Sequence, residues 1–132
     1  MPRDLVQTFA GEIASRDARR LAPYLSESVQ ARFDVAGTVV GRAALLAFWR
    51  RLFQSYALFE LHILKAVAED DMVIADSVYL LGKRGSDPMP VRAITIFEVR
   101  QKLITHWRDH ADLAEVPQAE MDRWRRLGAA RW

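Results

Sequence analysis

Apolar residues recur at helical spacing in two stretches of the 132-residue chain. Residues 3–15 carry a stripe that predicts an amphipathic helix, made of Leu5, Val6, Phe9, Ala10 and Ile13. A longer stripe predicts a helix further along, made of Leu45, Phe48, Trp49, Leu52, Phe53 and Tyr56. Between the two stripes, Asp17 has the position of an N-cap for a second short helix that carries Leu21, Tyr24 and Leu25. The chain therefore begins with a helical layer.

The pattern changes to the alternation of strands after residue 56. Residues 58–68, 72–81 and 91–99 predict three strands, and residues 28–35 with Val39-Val40 predict an earlier, shorter pair. Short polar or glycine-rich segments join the later strands, so they predict an antiparallel meander. Helices followed by a run of strands predict an α+β domain, with a curved antiparallel sheet wrapped around the N-terminal helices.

The last predicted strand, in residues 103–113, carries the most candidate chemistry. Strict alternation places Leu103, Thr105, Trp107 and Asp109 on one face, and Ile104, His106, Arg108 and His110 on the other. A carboxylate on an otherwise apolar face is either a buried structural group or a functional one. After this strand, Pro117 and Gly128 bracket a short C-terminal helix at about 117–128, within a single domain of residues 1–132.

The amino-acid composition excludes several kinds of functional site and partner. Hydrophobic residues make up 51% and charged residues 27%, as in an ordinary globular protein. The chain has no cysteine, which excludes disulfides, thiol nucleophiles and cysteine-zinc sites. The formal net charge is only +2 and the arginines lie in scattered pairs, so we expect no nucleic-acid partner. No stretch has the pattern of a signal peptide or a membrane span, so we expect a cytoplasmic protein without membrane contact.

The order of elements resembles the nuclear-transport-factor-2-like superfamily, in particular its SnoaL-like and limonene-epoxide-hydrolase-like branches. Three strings carry the resemblance: Leu21-Ala22-Pro23-Tyr24-Leu25-Ser26-Glu27, Gly41-Arg42 at a helix start, and Lys102-Leu103-Ile104-Thr105-His106-Trp107-Arg108-Asp109. The similarity spans roughly residues 3–115. It implies a cone-shaped apolar cavity between the helices and the concave sheet, a lipophilic small-molecule ligand, and a homodimer formed through the outer face of the sheet.

The functional residues of these branches are matched only in part. Asp109 matches the aspartate in the Trp-Arg-Asp string of the hydrolase branch. The Arg-x-Asp pair of that branch falls on Ser77 and Tyr79, and its Tyr-x-Asn falls on Ala31 and Phe33, so the full hydrolase machinery is absent. The ketosteroid-isomerase pattern also fits poorly. SnoaL-like polyketide cyclases rely on a single acid/base aspartate, a role that the resemblance implies for Asp109.

Asp109 is the first candidate for catalysis because burial in an apolar cavity disfavours the charged form and raises the pKa of a carboxyl towards neutrality. Tyr79 is the second, as a hydrogen-bond donor to a developing oxyanion. The candidate ligand contacts are Ser77, Thr95, Trp107, Phe33, Ile13, Leu52 and Tyr56. For each of these residues the alternative interpretation is an ordinary core residue or a polar group whose hydrogen bonds are satisfied within the protein. We expect no metal site, because alternation directs His106 and His110 away from Asp109, and we find no motif for a cofactor.

Two functions remain open. The first is a small cofactor-independent acid/base enzyme of isomerase, cyclase or epoxide-opening type, acting on a lipophilic molecule through Asp109. The second is a non-catalytic small-molecule-binding or dimeric assembly module of the same fold. An open apolar pocket with Asp109 at its floor favours the enzyme. A cavity filled by aromatic side chains, with Trp49, Phe33, Tyr56 and Trp107 as the candidates, favours the module.

Overall fold

A computed structural model describes residues 2–129, so the ends of the predicted domain 1–132 lie outside the described residues. The helices are α1 (Pro2–Ile13), α2 (Arg42–Ser55) and α3 (Gln118–Ala129). The strands are β1 (Leu25–Phe33), β2 (Gly37–Val40), β3 (Leu58–Glu69), β4 (Met72–Gly82), β5 (Met89–Arg100) and β6 (Leu103–Ala111). The fold is α+β, with one curved, unclosed sheet of six strands in the order β2-β1-β6-β5-β4-β3.

The two apolar stripes seen in the sequence form the helical side of the core. The inward residues of α1 are Val6, Phe9, Ala10 and Ile13. The inward residues of α2 are Leu45, Phe48, Trp49, Leu52 and Phe53. They share one hydrophobic cluster with inward apolar residues of β4 and β5, which alternation directs to the inner face: Val73, Tyr79, Leu81, Val91, Ala93, Phe97 and Val99. Both helical predictions are confirmed.

The segment after Asp17 differs from the prediction of a short α-helix. Asp17 does accept a hydrogen bond from the backbone N–H of Arg19, as an N-cap should. The segment then forms two 3₁₀ turns, Ala18–Arg20 and Ala22–Tyr24. Pro23 lies inside the second turn and has no N–H to donate, so a continuous α-helix loses a hydrogen bond there.

One strand pair corrects the prediction of a wholly antiparallel sheet. The strands β3 to β6 do form an antiparallel meander, but β1 pairs with β6 in parallel. The chain leaves β1 through the β2 hairpin and α2, then crosses the sheet from its far edge, so β6 arrives beside β1 in the same direction. The parallel pair places Phe33 of β1 opposite Asp109 of β6.

A β-bulge corrects the predicted faces of the last strand. Glu98 pairs with His106 and Val99 pairs with Ile104, which leaves Thr105 as an extra residue in β6. The hydroxyl of Thr105 donates to the carbonyl oxygen of Glu98 at 3.2 Å. Ile104 is consequently fully buried, whereas Leu103 is only half-buried. Beyond the bulge the predicted alternation holds.

No helix within residues 2–129 combines the length and the apolar character needed to cross a membrane.

Candidate functional site

Asp109 lies on the inner face of β6, where the sheet curves around α2. The residues paired with it are Phe33 on β1 and Thr95 on β5. Its exposed fraction is only 7%. After the bulge at Thr105, β6 alternates regularly, and Trp107 and Asp109 are the residues that face inward. A carboxyl group is therefore fixed on rigid sheet backbone within the apolar core.

Both oxygens of the Asp109 carboxyl accept hydrogen bonds. The hydroxyl of Tyr79 donates to Oδ2 at 2.5 Å, and the indole Nε1–H of Trp107 donates to Oδ1 at 3.1 Å. Tyr79 belongs to β4, so its side chain reaches across β5, where the inward residue between the two rows is the small Ala93. The predicted pair of Asp109 and Tyr79 is thus brought together by the fold.

Burial dominates the electrostatics of this pair. It raises the pKa of Asp109 from 3.8 to about 7, against the opposing effect of the hydrogen bonds from Tyr79 and Trp107. The nearby charge of Asp34 adds to the rise in the pKa of Asp109. Burial, followed by the charge and hydrogen bond of Asp109, holds the pKa of Tyr79 well above its ordinary value. Near neutral pH, Asp109 can therefore both accept and donate a proton, while Tyr79 stays a donor.

A cavity of about 90 Å³ opens beside this pair. It lies between the sheet, α2 and α3, and Trp124 of α3 forms part of its wall. The lining is Phe33, Asp34, Val35, Ala36, Phe48, Trp49, Leu52, Phe59, Tyr79, Leu81, Val91, Asp109, Ala111, Leu113 and Trp124. Pockets for drug-sized ligands are commonly about 300–1,000 Å³, so this cavity accommodates only a small ring or the end of a chain.

Aromatic side chains occupy much of the cone beneath this cavity. The rings of Trp49 and Trp107 stack with centroids 5.1 Å apart, and those of Phe33 and Phe48 stack at the same distance. Tyr56 lies elsewhere: it is not part of the lining, and its hydroxyl bonds Glu120. The cone is therefore partly filled, and the space that remains contains the predicted carboxyl group.

Several of the predicted ligand contacts do not line the cavity. Phe33 and Leu52 do. Ser77 and Thr95 are fully buried and bond each other, with 3.0 Å between their hydroxyl oxygens. The remaining predicted contacts outside the lining are Ile13, Trp107 and Tyr56. The assignment of all these side chains as ligand contacts stays a prediction.

A buried polar cluster ties α3 to the rest of the molecule, and the sequence interpretation missed it. Glu120 is 6% exposed and accepts hydrogen bonds from the Tyr56 hydroxyl at 2.7 Å and from Lys83 Nζ at 2.9 Å. The indole N–H of Trp124 donates to the Tyr56 oxygen at 2.7 Å. Glu120 and Trp124 are four residues apart on one helix face, a spacing that signals a shared docking surface. This cluster positions Trp124 at the cavity.

The two histidines of β6 lie on the outer face, as alternation predicts. His106 is 3.7 Å from Glu98, and His110 is 3.8 Å from Asp34, between ring nitrogen and carboxylate oxygen. Neither joins a group of three or more potential metal ligands within residues 2–129. Asp34 lies at the mouth of the cavity, where its carboxylate accepts the backbone N–H of Ala111 at 2.7 Å.

Comparison with known proteins agrees with this architecture. Residues 6–107 match the model of the SnoaL-like domain. No curated protein sequence matches the chain. Three similar solved structures share 22%, 16% and 21% sequence identity with it, so they show the fold alone.

The first of these structures is a hypothetical protein of ketosteroid isomerase-like fold from Catenulispora acidiphila, solved with trimethylamine; the TM-score is 0.77, over 85% of this chain and 88% of that one. The second, from Shewanella denitrificans, carries the provisional name SnoaL-like polyketide cyclase; the TM-score is 0.76, over 92% and 96%. The third is an LEH-like epoxide hydrolase from M. tuberculosis; the TM-score is 0.74, over 95% and 89%.

Proposed function

Since the chain belongs to the SnoaL-like domain family, we propose that it is a small acid/base enzyme that needs no cofactor and acts on a lipophilic molecule held beside Asp109. One observation carries the proposal: a carboxyl group with a pKa raised by burial to about 7 borders an apolar cavity. Groups with such a pKa transfer protons in both directions at neutral pH, and they cluster at functional sites.

The proposed step is transfer of a proton between Asp109 and carbon. The carboxylate of Asp109 takes a proton from the carbon next to a ligand carbonyl, and the electron pair of that C–H bond moves to form the enolate. The neutral acid then returns the proton. If a C=C bond is conjugated to the enolate, return of the proton to the far end of that system moves the double bond and isomerises the ligand. If the enolate carbon instead attacks a second carbonyl of the ligand, a C–C bond closes a ring, and Asp109 gives its proton to the alkoxide oxygen that forms. The acid form of Asp109 is also suited to protonate an epoxide oxygen.

The ordered surroundings of Asp109 support this chemistry. Tyr79 and Trp107 each donate to a different oxygen of the carboxyl, so the group has one orientation and does not have to be ordered during the reaction. Phe33, Leu52 and Phe59 keep the adjoining space apolar, which preserves the raised pKa of Asp109.

Hydrogen–deuterium exchange tests the proposal without knowledge of the natural substrate. Cyclopentanone is small enough to suit the cavity, and its ring protons next to the carbonyl exchange in D₂O at a rate that ¹H NMR follows. The wild type should accelerate the exchange, and Asp109→Asn should remove about 100-fold or more of that acceleration. The control is Asp76→Asn, on the outer face, where the carboxylate bonds to exposed Arg92. Equal rates for the wild type and Asp109→Asn would refute a catalytic Asp109.

A second candidate function, a binding module without catalysis, is favoured by a different observation. Both oxygens of Asp109 are already engaged by protein donors, as expected of a structural carboxyl. Under this alternative, cyclopentanone raises the melting temperature of the protein but its protons exchange no faster than in buffer. The two functions therefore separate in one pair of measurements.

We also propose that the protein pairs with a second copy of itself through the outer face of the sheet. Four large apolar side chains on this face are exposed by 36–57%: Val67, Met72, Ile74 and Ile94. Ile74 lies opposite Val67 on β3 and Ile96 on β5, which makes the patch continuous across three strands. Sedimentation velocity should show a dimer for the wild type and a monomer for Ile94→Lys; a monomeric wild type would refute this proposal.

A further inference from the structure

The helix α3 contributes Trp124 to the wall of the cavity, and it is joined to the rest of the protein differently from the other two helices. Whereas α1 and α2 bury whole apolar stripes, the one fully buried side chain among residues 118–128 is the carboxylate of Glu120. The apolar side chains of α3, those of Met121, Trp124 and Leu127, pack half-buried against the core. This helix is therefore a peripheral layer on a core formed by α1, α2 and the sheet.

A chain of hydrogen bonds fixes the indole of Trp124. Its N–H donates to the oxygen of Tyr56 at 2.7 Å, and because Tyr56 is only 3% exposed, this bond directs the indole into the molecule. The Tyr56 hydroxyl donates to one oxygen of Glu120 at 2.7 Å, and Lys83 Nζ donates to the other at 2.9 Å. Burial, followed by the bond to Glu120, raises the pKa of Tyr56 above its ordinary value, so the hydroxyl keeps its proton. A large flat side chain held in this way is a rigid part of the wall.

Other aromatic residues of the wall belong to the core. Phe48, Trp49 and Phe59 are 1–4% exposed. The ring of Trp49 packs edge-on against Phe48 at 6.3 Å and against Phe59 at 5.3 Å. Truncating any of these three leaves a void in close-packed structure and destabilises the fold. Trp124, half-buried on a peripheral helix, is the aromatic part of the wall whose size can change at the least cost to the fold.

We infer that Trp124 is a specificity-determining residue: its fixed indole limits how large a lipophilic ligand can be in the space beside Asp109. The inference rests on the proposed function and makes the ligand class more specific, namely molecules that present one small ring or a short chain to the cavity of about 90 Å³. Each CH₂ added to such a ligand tightens binding by about 4-fold while it is buried. Once the ring meets the indole, a further CH₂ gains nothing or reduces the affinity.

A series of cyclic ketones tests this limit through binding alone. Cyclopentanone, cyclohexanone, cycloheptanone and cyclooctanone differ by one CH₂ at each step, and NMR titration gives a Kd for each. For the wild type, the affinity should stop rising, or fall, beyond cyclohexanone. For Trp124→Ala, it should go on rising by about 2- to 4-fold per CH₂ up to cyclooctanone, because the added groups enter the space that the indole leaves.

Leu127→Ala is the matched control. Leu127 lies three residues further along α3 and packs against the core, but it does not line the cavity. Its truncation weakens the docking of α3 without changing the wall, so the dependence on ring size should stay that of the wild type even if all four affinities fall. Should Trp124→Ala fail to fold, Trp124→Leu keeps an apolar side chain of intermediate size and should shift the limit to larger rings by a smaller step.

The same dependence on ring size in the wild type and Trp124→Ala would overturn the inference, even if Asp109-dependent proton exchange is present. A limit lost equally in Leu127→Ala would also overturn it, since the docking of α3 rather than the indole would then set the size. Absence of binding by all four ketones would overturn it together with the proposed ligand class. A limit that shifts only in Trp124→Ala supports it, and if Asp109→Asn then exchanges protons as fast as the wild type, only the catalytic role of Asp109 fails.

Discussion

Replacing Asp109 by Asn removes an ionisable group whose pKa burial raises from 3.8 to about 7. Between these two values the folded protein binds one more proton than the unfolded chain, so the free energy of unfolding falls as the pH rises. The full shift corresponds to about 4 kcal/mol, and about 2–3 kcal/mol of it is lost between pH 5 and pH 8. An asparagine at this position does not titrate, so it adds no pH dependence to the free energy of unfolding.

Urea unfolding at pH 5 and pH 8 measures this difference. The wild type should lose about 2–3 kcal/mol more than Asp109→Asn between the two conditions, because the other titrating groups are common to both proteins and their contributions cancel. Asp76→Asn is the matched control for replacing a carboxyl by an amide, because Asp76 lies on the outer face of the sheet, where it pairs with Arg92. If the wild type and Asp109→Asn lose the same free energy, then Asp109 titrates as an ordinary carboxyl and the electrostatic argument fails.

Three further changes test neighbouring parts of the structure. Tyr79→Phe removes a hydrogen bond that lowers the pKa of Asp109, so ¹³C NMR of the Asp109 carboxyl should show a still higher midpoint; an unchanged or lower midpoint would contradict the assigned contact. Glu120→Gln should cost about 1.5–3 kcal/mol and speed hydrogen exchange in α3; unchanged exchange would refute its docking role. Gly128→Ala places a Cβ 1.9 Å from the carbonyl oxygen of Ala36, so it should also loosen α3; wild-type exchange rates would contradict that close contact.

The fold was predictable where a periodic pattern extends over many residues. The stripes that begin at Val6 and Leu45 bury one face of each helix, and alternation in β4 and β5 separates inner from outer residues. Such patterns average over many positions, so one exception does not obscure them. A single inserted residue does change the local outcome, and the bulge at Thr105 exchanged the predicted environments of Leu103 and Ile104.

The candidate site was predictable only in part. Asp109 and Tyr79 were predictable as a pair, because alternation places both on the inner face of one sheet, on β6 and β4 with β5 between them, and the resemblance had already singled out Asp109. The contact of Glu120 with Tyr56 joins positions 64 residues apart, which no local pattern encodes. The indole N–H of Trp49 has no acceptor among residues 2–129, a result of how the surrounding rings pack, and the sequence identified this residue only as an aromatic core position.

The pH dependence of proton exchange into cyclopentanone tests most directly whether Asp109 is the base of this cavity. The account predicts that the wild-type rate rises with pH through a midpoint near 7 and then levels, as the carboxylate form is populated. Asp109→Asn should lose both the acceleration and the midpoint. A wild-type profile without a midpoint near 7, or a midpoint that persists in Asp109→Asn, would contradict the account.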